Sequence, residues 1–506
     1  MIRNSIHIMP RFASSLREKE GRIMAKSAKE VTYSSPYDID GRLPLHQAIP
    51  LGLQHVMAMF VGNLTPLLSI MAVCGITVEN YGGLRISLLQ NAMLIAGLVT
   101  LVQLYPIGPI GSRLPIVMGT SSGFIGMNNS IAASMMAGVA AGTITSNVEA
   151  GLYAYGAVIG ACLIGGLWEG VLGFFIKPLR KFFPPVVTGT VVMAIGLSLL
   201  NVGINFFGGG NNNADFGSVT NLLLGLFVLV FIICLKHFGK GFLSQTAILI
   251  GIIAGYIVAT IMGLVLPTTG VTAEGAEYTY SWVVQWSKVA EADWFAIPKL
   301  LPVSLQFEIS AILPMLVMFV VTAVETIGDT AGVTEGGLGR EPSDRELSGS
   351  VICDGIGSSF ASLFGVLPNT SFSQNVGLVG ITKVVNRFAI ACGAIFLVLC
   401  GLFPKVGAIV SIMPQSVLGG AAVMMFASIV ISGINLITKE PLTGRNTTIV
   451  AIALGLGYGL GAHSTALQFM PSFISHLFGE SGIVPACLVA VILNIALPKD
   501  EKNLEP

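Results

Sequence analysis

Beyond residue 46 the chain is a succession of long apolar stretches divided by short polar breaks, a pattern that predicts membrane-spanning helices rather than strands. The stretches fall near 48–74, 84–106, 115–139, 150–175, 184–204, 217–236 and 243–266. After a hydrophilic loop they resume near 308–330, 346–363, 367–382, 384–404, 413–434, 445–461 and 479–497. Of these fourteen, the third and tenth start too polar to be simple full spans. The tenth is the sharpest break in the pattern. Gly365-Val-Leu-Pro-Asn-Thr-Ser-Phe-Ser-Gln-Asn-Val-Gly377 places Asn369, Thr370, Ser371, Ser373, Gln374 and Asn375 almost side by side. Lipid offers no partner for an amide, so polar groups at this depth face protein or a water-filled cavity. Pro, then a Ser/Thr/Asn cluster, then an apolar run, reads as a helix that begins part-way across the bilayer with its N-terminus open. Transporters build midplane substrate sites from such broken helices.

Lys/Arg placement tests the count. With the N-terminal segment taken as cytoplasmic, even-numbered helices exit at Arg113, Lys177/Arg180/Lys181, Lys236/Lys240, Arg340/Arg345, Lys383/Arg387, Lys439/Arg445 and Lys499/Lys502. Odd-numbered exits are poorer in basic residues, and the long loop 267–307 carries Glu274, Glu277, Glu291 and Asp293. The alternation fits fourteen helices with both ends inside. Trp282, Trp286 and Trp294 in that loop read as an interfacial aromatic belt on the outer face.

Composition narrows the class. The chain of 506 residues is 53% hydrophobic and only 10% charged, against about 25% charged for soluble proteins. A net charge of zero gives no hint of nucleic acid. The 61 glycines suit close or interrupted helix packing. Seven cysteines lie in or beside apolar segments without metal-ligand spacing, and read as packing residues rather than disulfides. The first 46 residues are polar, with Arg3, Arg11, Arg17, Lys19, Arg22, Lys26 and Lys29. No apolar core of a signal peptide follows them, so a disordered or loosely attached cytoplasmic tail is expected.

An internal echo links the two polar breaks. Gly119-Thr-Ser-Ser-Gly-Phe-Ile-Gly126 resembles Asn369-Thr-Ser-Phe-Ser-Gln-Asn-Val-Gly377, and Met57-Ala-Met-Phe-Val61 echoes Leu316-Val-Met-Phe-Val320 at a similar offset. With seven helices per half, the halves insert with opposite orientation. The expected fold class is therefore an all-α polytopic membrane protein of two inverted repeats, with the third and tenth segments meeting at the midplane.

Few ionisable residues fall inside spans: chiefly His55, Glu169, Glu325, Asp329 and Asp354. Each is costly in hydrocarbon and needs a partner or a cavity. Glu325 and Asp329 are one helical turn apart on a common face. Two such carboxylates cannot both ionise cheaply, which suits a proton-coupled carrier. Asp329 also suits a capping role near the cytoplasmic end of the eighth helix. Asp354 could serve the site or simply bond a neighbouring broken helix. His55 could equally be a ligand contact or a satisfied partner in the bundle, and Glu169 reads as structural or interfacial. Asn375 suits a helix cap. Gln374 is long for a cap, and its amide matches the edge of a purine or pyrimidine. Phe372 could stack on a flat heterocycle. Together these describe a site for a planar ligand rich in N–H and C=O groups.

Here the sequence resembles a known family. Gln374-Asn-Val-Gly-Leu-Val-Gly-Ile-Thr-Lys383 matches the signature of the nucleobase–ascorbate transporters, Gln54-His55 is similar to their first-helix motif, and Glu325 and Asp354 stand where their carboxylates would. The resemblance covers residues 45–497. It implies a core domain of 47–175 and 307–406 (helices 1–4 and 8–11) and a gate domain of 176–306 and 407–498 (helices 5–7 with the outer loop, and 12–14); the polar segments 1–46 and 499–506 lie outside it and are expected to be cytoplasmic tails. It implies short strands at Pro115–Met118 and Val366–Asn369. By the same resemblance Glu325 accepts substrate N–H groups, Gln374 reads the other edge and Phe372 stacks. Asn375 and the backbone around Ser122, Gly123 and Phe124 contribute to binding. His55, Asp354 and Asp329 support the site and its proton coupling. Members couple uptake to protons, or to sodium in animal ascorbate carriers, and commonly form homodimers in the lipid bilayer. No cofactor or metal is implied.

Gln rather than Glu or Pro before Asn375 resembles the xanthine and urate carriers, particularly bacterial xanthine/uric acid permeases, rather than uracil or ascorbate carriers. Ser122-Gly123 departs from the bulkier residues that related carriers place there, which leaves the choice among purines open. The reading is thus a proton-coupled purine importer working by an elevator-like movement in the plasma (inner) membrane. The alternatives are a uracil or broader nucleobase permease, or an anion carrier or channel of the same architecture. An intramembrane enzyme using Asp329 and Asp354 lacks any Gly-X-Gly-Asp or metal-ligand pattern.

Overall fold

Each of the fourteen apolar stretches carries a helix, and the helix ends lie where local chemistry stops or starts them. The computed structural model describes residues 33–146, 148–179, 182–210, 213–240, 242–271, 275, 277–470, 474, 478–479 and 482–498. Residues 1–32 and 499–506, with Arg180, Lys181 and Glu274 of the charge pattern, lie outside the described residues. The first half runs α1 (Leu45–Val73), α2 (Val78–Leu104), strand β1 (Met118–Thr120), α3 (Ile125–Ala140), α4 (Ala150–Gly173), α5 (Pro185–Phe207), α6 (Val219–Phe238) and α7 (Ala247–Val265). A hairpin of β2 (Thr269–Val271) and β3 (Glu277–Thr279) leads into the second half. There follow α8 (Ile309–Leu338), α9 (Asp344–Leu363), strand β4 (Asn369–Ser371), α10 (Ser373–Thr382), α11 (Arg387–Leu402), α12 (Pro404–Ser411), α13 (Gln415–Ile437), α14 (Gly444–Ala462) and α15 (Ile483–Ala496).

Polar side chains cap several starts. Thr77, Ser218, Asn386 and Thr443 each accept a hydrogen bond from a backbone amide of the first turn, and Ser343 with Glu346 forms a capping box on α9. Among the described residues, eight helices (α1, α2, α4, α5, α6, α7, α8 and α13) are long and apolar enough to cross a membrane, and α11 with α12, bent by 84°, would make a ninth. The chain is a multi-pass membrane protein.

Glycines set the closest helix contacts. A Cβ on Gly97 would lie 2.6 Å from the carbonyl of Ala394, seating α2 on α11, and one on Gly166 would lie 2.6 Å from that of Gly355, seating α4 on α9. In the same way Gly196 and Gly433 bring α5 against α13. Without side chains between them the backbones approach within reach of dispersion contacts that lipid tails cannot supply.

Several expectations need correction. The strands begin about three residues later than expected, at Met118 and Asn369 rather than Pro115 and Val366. Pro368 has no N–H to offer a ladder, and its carbonyl instead accepts from the Ser121 amide at the ladder's end. Helix α8 continues to Leu338, so Asp329 sits inside it, buried, and caps nothing. Trp282 is 1% exposed and stacks on Tyr280 at 5.7 Å, so it is packed inside the region between α7 and α8 rather than set in a belt. By contrast, Trp294 is 75% exposed under the Lys405 ammonium. Cys234 is exposed on the outward face of α6, unlike a packing residue.

The largest departure is at the N-terminus. Residues 33–44, expected in a loose tail, are strapped to the linker between α10 and α11. The Pro36 carbonyl accepts from the amides of Val385 and Asn386, and the Ile39 carbonyl accepts from that of Arg387. Asp40 pairs with the Arg387 guanidinium, which also donates to the Leu104 carbonyl at 2.7 Å and lies over the Tyr105 ring. Charge count alone made this segment look solvated, but its carboxylate has a buried cation to meet.

Candidate functional site

The site is built where two short strands cross. β1 and β4 pair antiparallel in the register Met118↔Ser371, Gly119↔Thr370 and Thr120↔Asn369. The amides of Ser121 and Phe372 extend the ladder at its two ends by donating to Pro368 and Val117. This backbone is fully buried, so every N–H and C=O needs a partner. Hydroxyls on neighbouring helices complete the set. Thr100 of α2 accepts from the Met118 amide at 2.9 Å, and Ser358 of α9 accepts from the Asn369 amide at 2.9 Å. Asn63 of α1 accepts from the Thr120 amide at 2.7 Å. Because the strands are antiparallel, the chain leaves the ladder in opposite senses, into the single turn Ser122–Phe124 ahead of α3 and into α10.

Three carboxylates gather beside β4. Glu325 is 7% exposed; its Oε1 is 3.5 Å from the Ser373 hydroxyl and its Oε2 is buried without a partner. Asp329, one turn on, accepts from Ser371 at 2.7 Å and from Ser373 at 3.1 Å. Asp354, wholly buried on α9, accepts from Thr326 and from Thr370, the latter at 2.8 Å. The two aspartates each have two hydroxyl donors, both on Oδ2; Glu325 Oε2 and Asp354 Oδ1 are both buried without a partner, and of the two residues only Glu325 lines the recess described next. Glu169, also buried, accepts from Thr322 at 3.1 Å, which places it inside the bundle rather than at an interface.

The remaining expected site residues divide. Glu325, Gln374, Ser122, Gly123 and Phe372 line one small recess together with Ser371 and Ser373. A Cβ on Gly123 would sit 3.7 Å from Glu325 Oε2, in ordinary contact, so glycine here leaves room for about one methyl group in front of the free carboxylate oxygen. Asn375 does not cap α10; its amide donates to the His55 carbonyl at 2.8 Å and lies 3.3 Å from His55 Nδ1, tying α10 to α1. His55 Nε2 is buried without a partner. The Phe372 ring is turned into a small apolar cluster with Val56, Met59 and Ile390, in a slot left by Gly62 and Gly119. Phe124 is fully buried, its ring 4.8 Å from that of Phe319. Among the described residues no group of three His, Cys, Asp or Glu could hold a metal ion.

Pattern reading missed the hydroxyls (Thr100, Thr326, Ser358) and the two residues that close the recess from the opposite side, Ile195 of α5 and Ile429 of α13. Nothing local marks Ile195 or Ile429 among so many apolar residues. With them in place the recess holds only about 20 Å³. Two larger cavities begin at Ser373 and Gly377: one of about 410 Å³ reaching Asp329, Glu335 and Lys439, and one of about 620 Å³ reaching Gln374 and Lys236.

A family profile described as a permease family, Xan_ur_permease, matches residues 46–465. The chain belongs to the xanthine/uracil permease family, the nucleobase–ascorbate transporters. Uric acid permease PucK of Bacillus subtilis is 35% identical over 464 residues, covering 90% of this chain and 97% of that one. Xanthine permease XanP of Escherichia coli strain K12 is 31% identical over 472 residues, covering 92% and 95%. Among solved structures, murine Solute Carrier 26 family member A9, an anion transporter in the inward-facing state, superposes with a TM-score of 0.50 at 13% identity, covering 88% of this chain and 68% of that one. A second structure of SLC26A9 gives 0.52 at 12% identity, covering 89% and 66%. That likeness is one of fold. As a member of the permease family the chain is a transporter and not an enzyme.

Proposed function

We propose that this permease imports a purine nucleobase, xanthine or uric acid in preference to others, together with a proton. The observation that carries the reading is the free Oε2 of Glu325, buried and directed at the space in front of Gly123, with Gln374 on the same recess. A buried carboxylate oxygen without a donor calls for an N–H, and the carboxamide beside it can both donate and accept. Purine edges supply that combination. Asn375 and His55 hold α10 against α1, Ser122 and Gly123, just past the other strand, line the recess while Phe124 packs on Phe319, and Asp354 and Asp329 sustain the carboxylate network. The uric acid and xanthine relatives agree in substrate class.

The proposed architecture is fourteen segments in two inverted repeats, with α1–α4 and α8–α11 as the core and the other helices as the gate. Both termini lie in the cytoplasm, the bilayer is the inner membrane, and two copies pair. Ile195 and Ile429 belong to the gate, so widening the recess to purine size requires the core to move against them, as an elevator does.

An anion carrier of the same fold is the second reading, prompted by the structural likeness. The described lining of the recess contains a carboxylate and no basic residue, which disfavours it. A thermal-shift panel of xanthine, urate, guanine, uracil and sulfate on purified protein tests all of these. Stabilisation by xanthine or urate is expected; a response to uracil or sulfate alone would replace the reading. Glu325→Gln is expected to abolish acid-driven uptake of labelled xanthine in a transporter-null cell.

A further inference from the structure

Among the described residues, Ser373 is the one that lines both the recess containing Glu325 and the 410 Å³ cavity containing Asp329. Its hydroxyl lies 3.1 Å from Asp329 Oδ2 and 3.5 Å from Glu325 Oε1. One O–H has one hydrogen, so it can donate to only one of the two carboxylates at a time. When Glu325 carries a proton it can donate to Ser373, whose own hydrogen then points to Asp329. When Asp329 carries the proton the chain of bonds reverses. Either way a single shared proton leaves all three groups bonded, and Ser371 supplies Asp329 with a second donor at 2.7 Å.

We propose that the Ser373 hydroxyl relays the coupling proton between Glu325, on the ligand side, and Asp329, on the cavity side. The proposal rests on the proton-symport reading above. In the transfer the Glu325 O–H bond breaks as an O–H bond forms to Ser373 Oγ, and the hydrogen that Ser373 held passes to Asp329 Oδ2. The serine ends neutral with its hydroxyl turned round. Asp329 then gives its proton to water in the cavity, so charge and atoms balance and no other reactant is needed. Rotation about the Ser373 Cα–Cβ bond, at the first position of α10, brings the hydroxyl nearer Glu325 or nearer Asp329.

The other ionisable groups near this chain have partners of their own or lie at its ends, although Asp354 Oδ1 and His55 Nε2 are unpartnered and neither is hydrogen-bonded to Ser373. Asp354 of α9 is bonded by Thr326 and Thr370, and Glu169 of α4 by Thr322. His55 of α1 faces Asn375. Glu335 of α8 pairs with Lys439 at the far end of the cavity. Ser371, 3.4 Å from Thr326, connects the relay to the Asp354 pair without replacing it.

The test compares two rates in proteoliposomes: net uptake of labelled xanthine driven by an acidic exterior, and xanthine–xanthine exchange at equal pH. Exchange can proceed with the proton retained, whereas net uptake must release it. In Ser373→Ala the ratio of driven uptake to exchange is expected to fall about tenfold or more, and Ser373→Thr should restore most of it. An unchanged ratio in Ser373→Ala overturns the relay, as does an equal loss of both rates. Should the alanine variant not fold, Asp329→Asn must show the same selective loss, and retention of the ratio there also overturns it. If wild-type uptake ignores the pH gradient, the proton-symport reading itself fails, a result distinct from failure of the relay alone.

Discussion

Thr100 on α2 and Ser358 on α9 are counterparts, each hydroxyl accepting from the amide and donating to the carbonyl of one strand residue, Met118 and Asn369 respectively. The two strands pair with each other, so each half of the chain clamps its own contribution to the ladder by the same device. Thr100→Val keeps the shape but leaves the buried Met118 amide without its side-chain partner, at a cost of about 1–3 kcal/mol. Thermal unfolding in detergent should therefore show a lower Tm, restored by Thr100→Ser. A Thr100→Val protein that melts with the wild type would remove the clamp from the account.

Gly123 faces the free oxygen of Glu325 with room for a Cβ 3.7 Å from it. Added bulk here meets ordinary contacts rather than a clash, so Gly123→Ala should fold normally. It should also shorten the recess, and a missing or added methylene-sized volume is worth about 1–3 kcal/mol to a bound ligand. Urate, with one more ring oxygen substituent than xanthine, is expected to lose more affinity. Competition of unlabelled xanthine and urate against labelled xanthine uptake measures the difference directly.

Lys439, just past α13, meets Glu335 near the end of α8 at 2.7 Å, with the two side chains 34% and 41% exposed. The pair joins a proposed gate element to a proposed core element at the cavity mouth. An exposed pair is worth about 0.2–1 kcal/mol, so its removal should bias the conformational balance only modestly. Lys439→Ala should change the apparent uptake rate by less than about fivefold, with the wild-type rate more salt-dependent than that of the variant. A loss of orders of magnitude would mean that Lys439 acts on the substrate instead.

Arg387 has three partners at once: Asp40, the Leu104 carbonyl and the Tyr105 ring. Lysine cannot reproduce a planar fork that serves a carboxylate, a carbonyl and an aromatic face together. Both Arg387→Lys and Arg387→Ala should lower the Tm, and Asp40→Asn should do so less, because Asp40 is 55% exposed and water can replace it. Limited proteolysis within residues 33–44 should accelerate in the arginine variants. Equal protease resistance would show that the backbone bonds from Pro36 and Ile39 hold the strap unaided.

Much of the site was legible because it violates the surrounding pattern. Glu325, Asp354 and the cluster from Asn369 to Asn375 stand out in hydrocarbon as groups that require partners, and the structure places them on adjoining elements. Thr100, Thr326 and Ser358 were not legible, because a lone hydroxyl in an apolar helix fits a helix face by bonding its own backbone. Only the tertiary register shows that they reach elsewhere. The Phe372 ring illustrates the same limit. Its type suggests stacking on a ligand, but the direction it takes depends on glycines at 62 and 119 that come from other segments. The strap at residues 33–44 was hidden because polar composition does not distinguish solvated charge from charge with a distant partner.

The ladder between β1 and β4 has a consequence for inheritance. Each strand satisfies the other's backbone, and each opens one side of the proposed ligand recess, so neither side is an independent module. A mutation that reshapes one arm shifts the register and aim of the other, although the two are encoded in opposite halves of the gene. New substrate preferences should thus arise through paired changes across that distance, or through residues such as Gly123 that alter the space without touching the ladder.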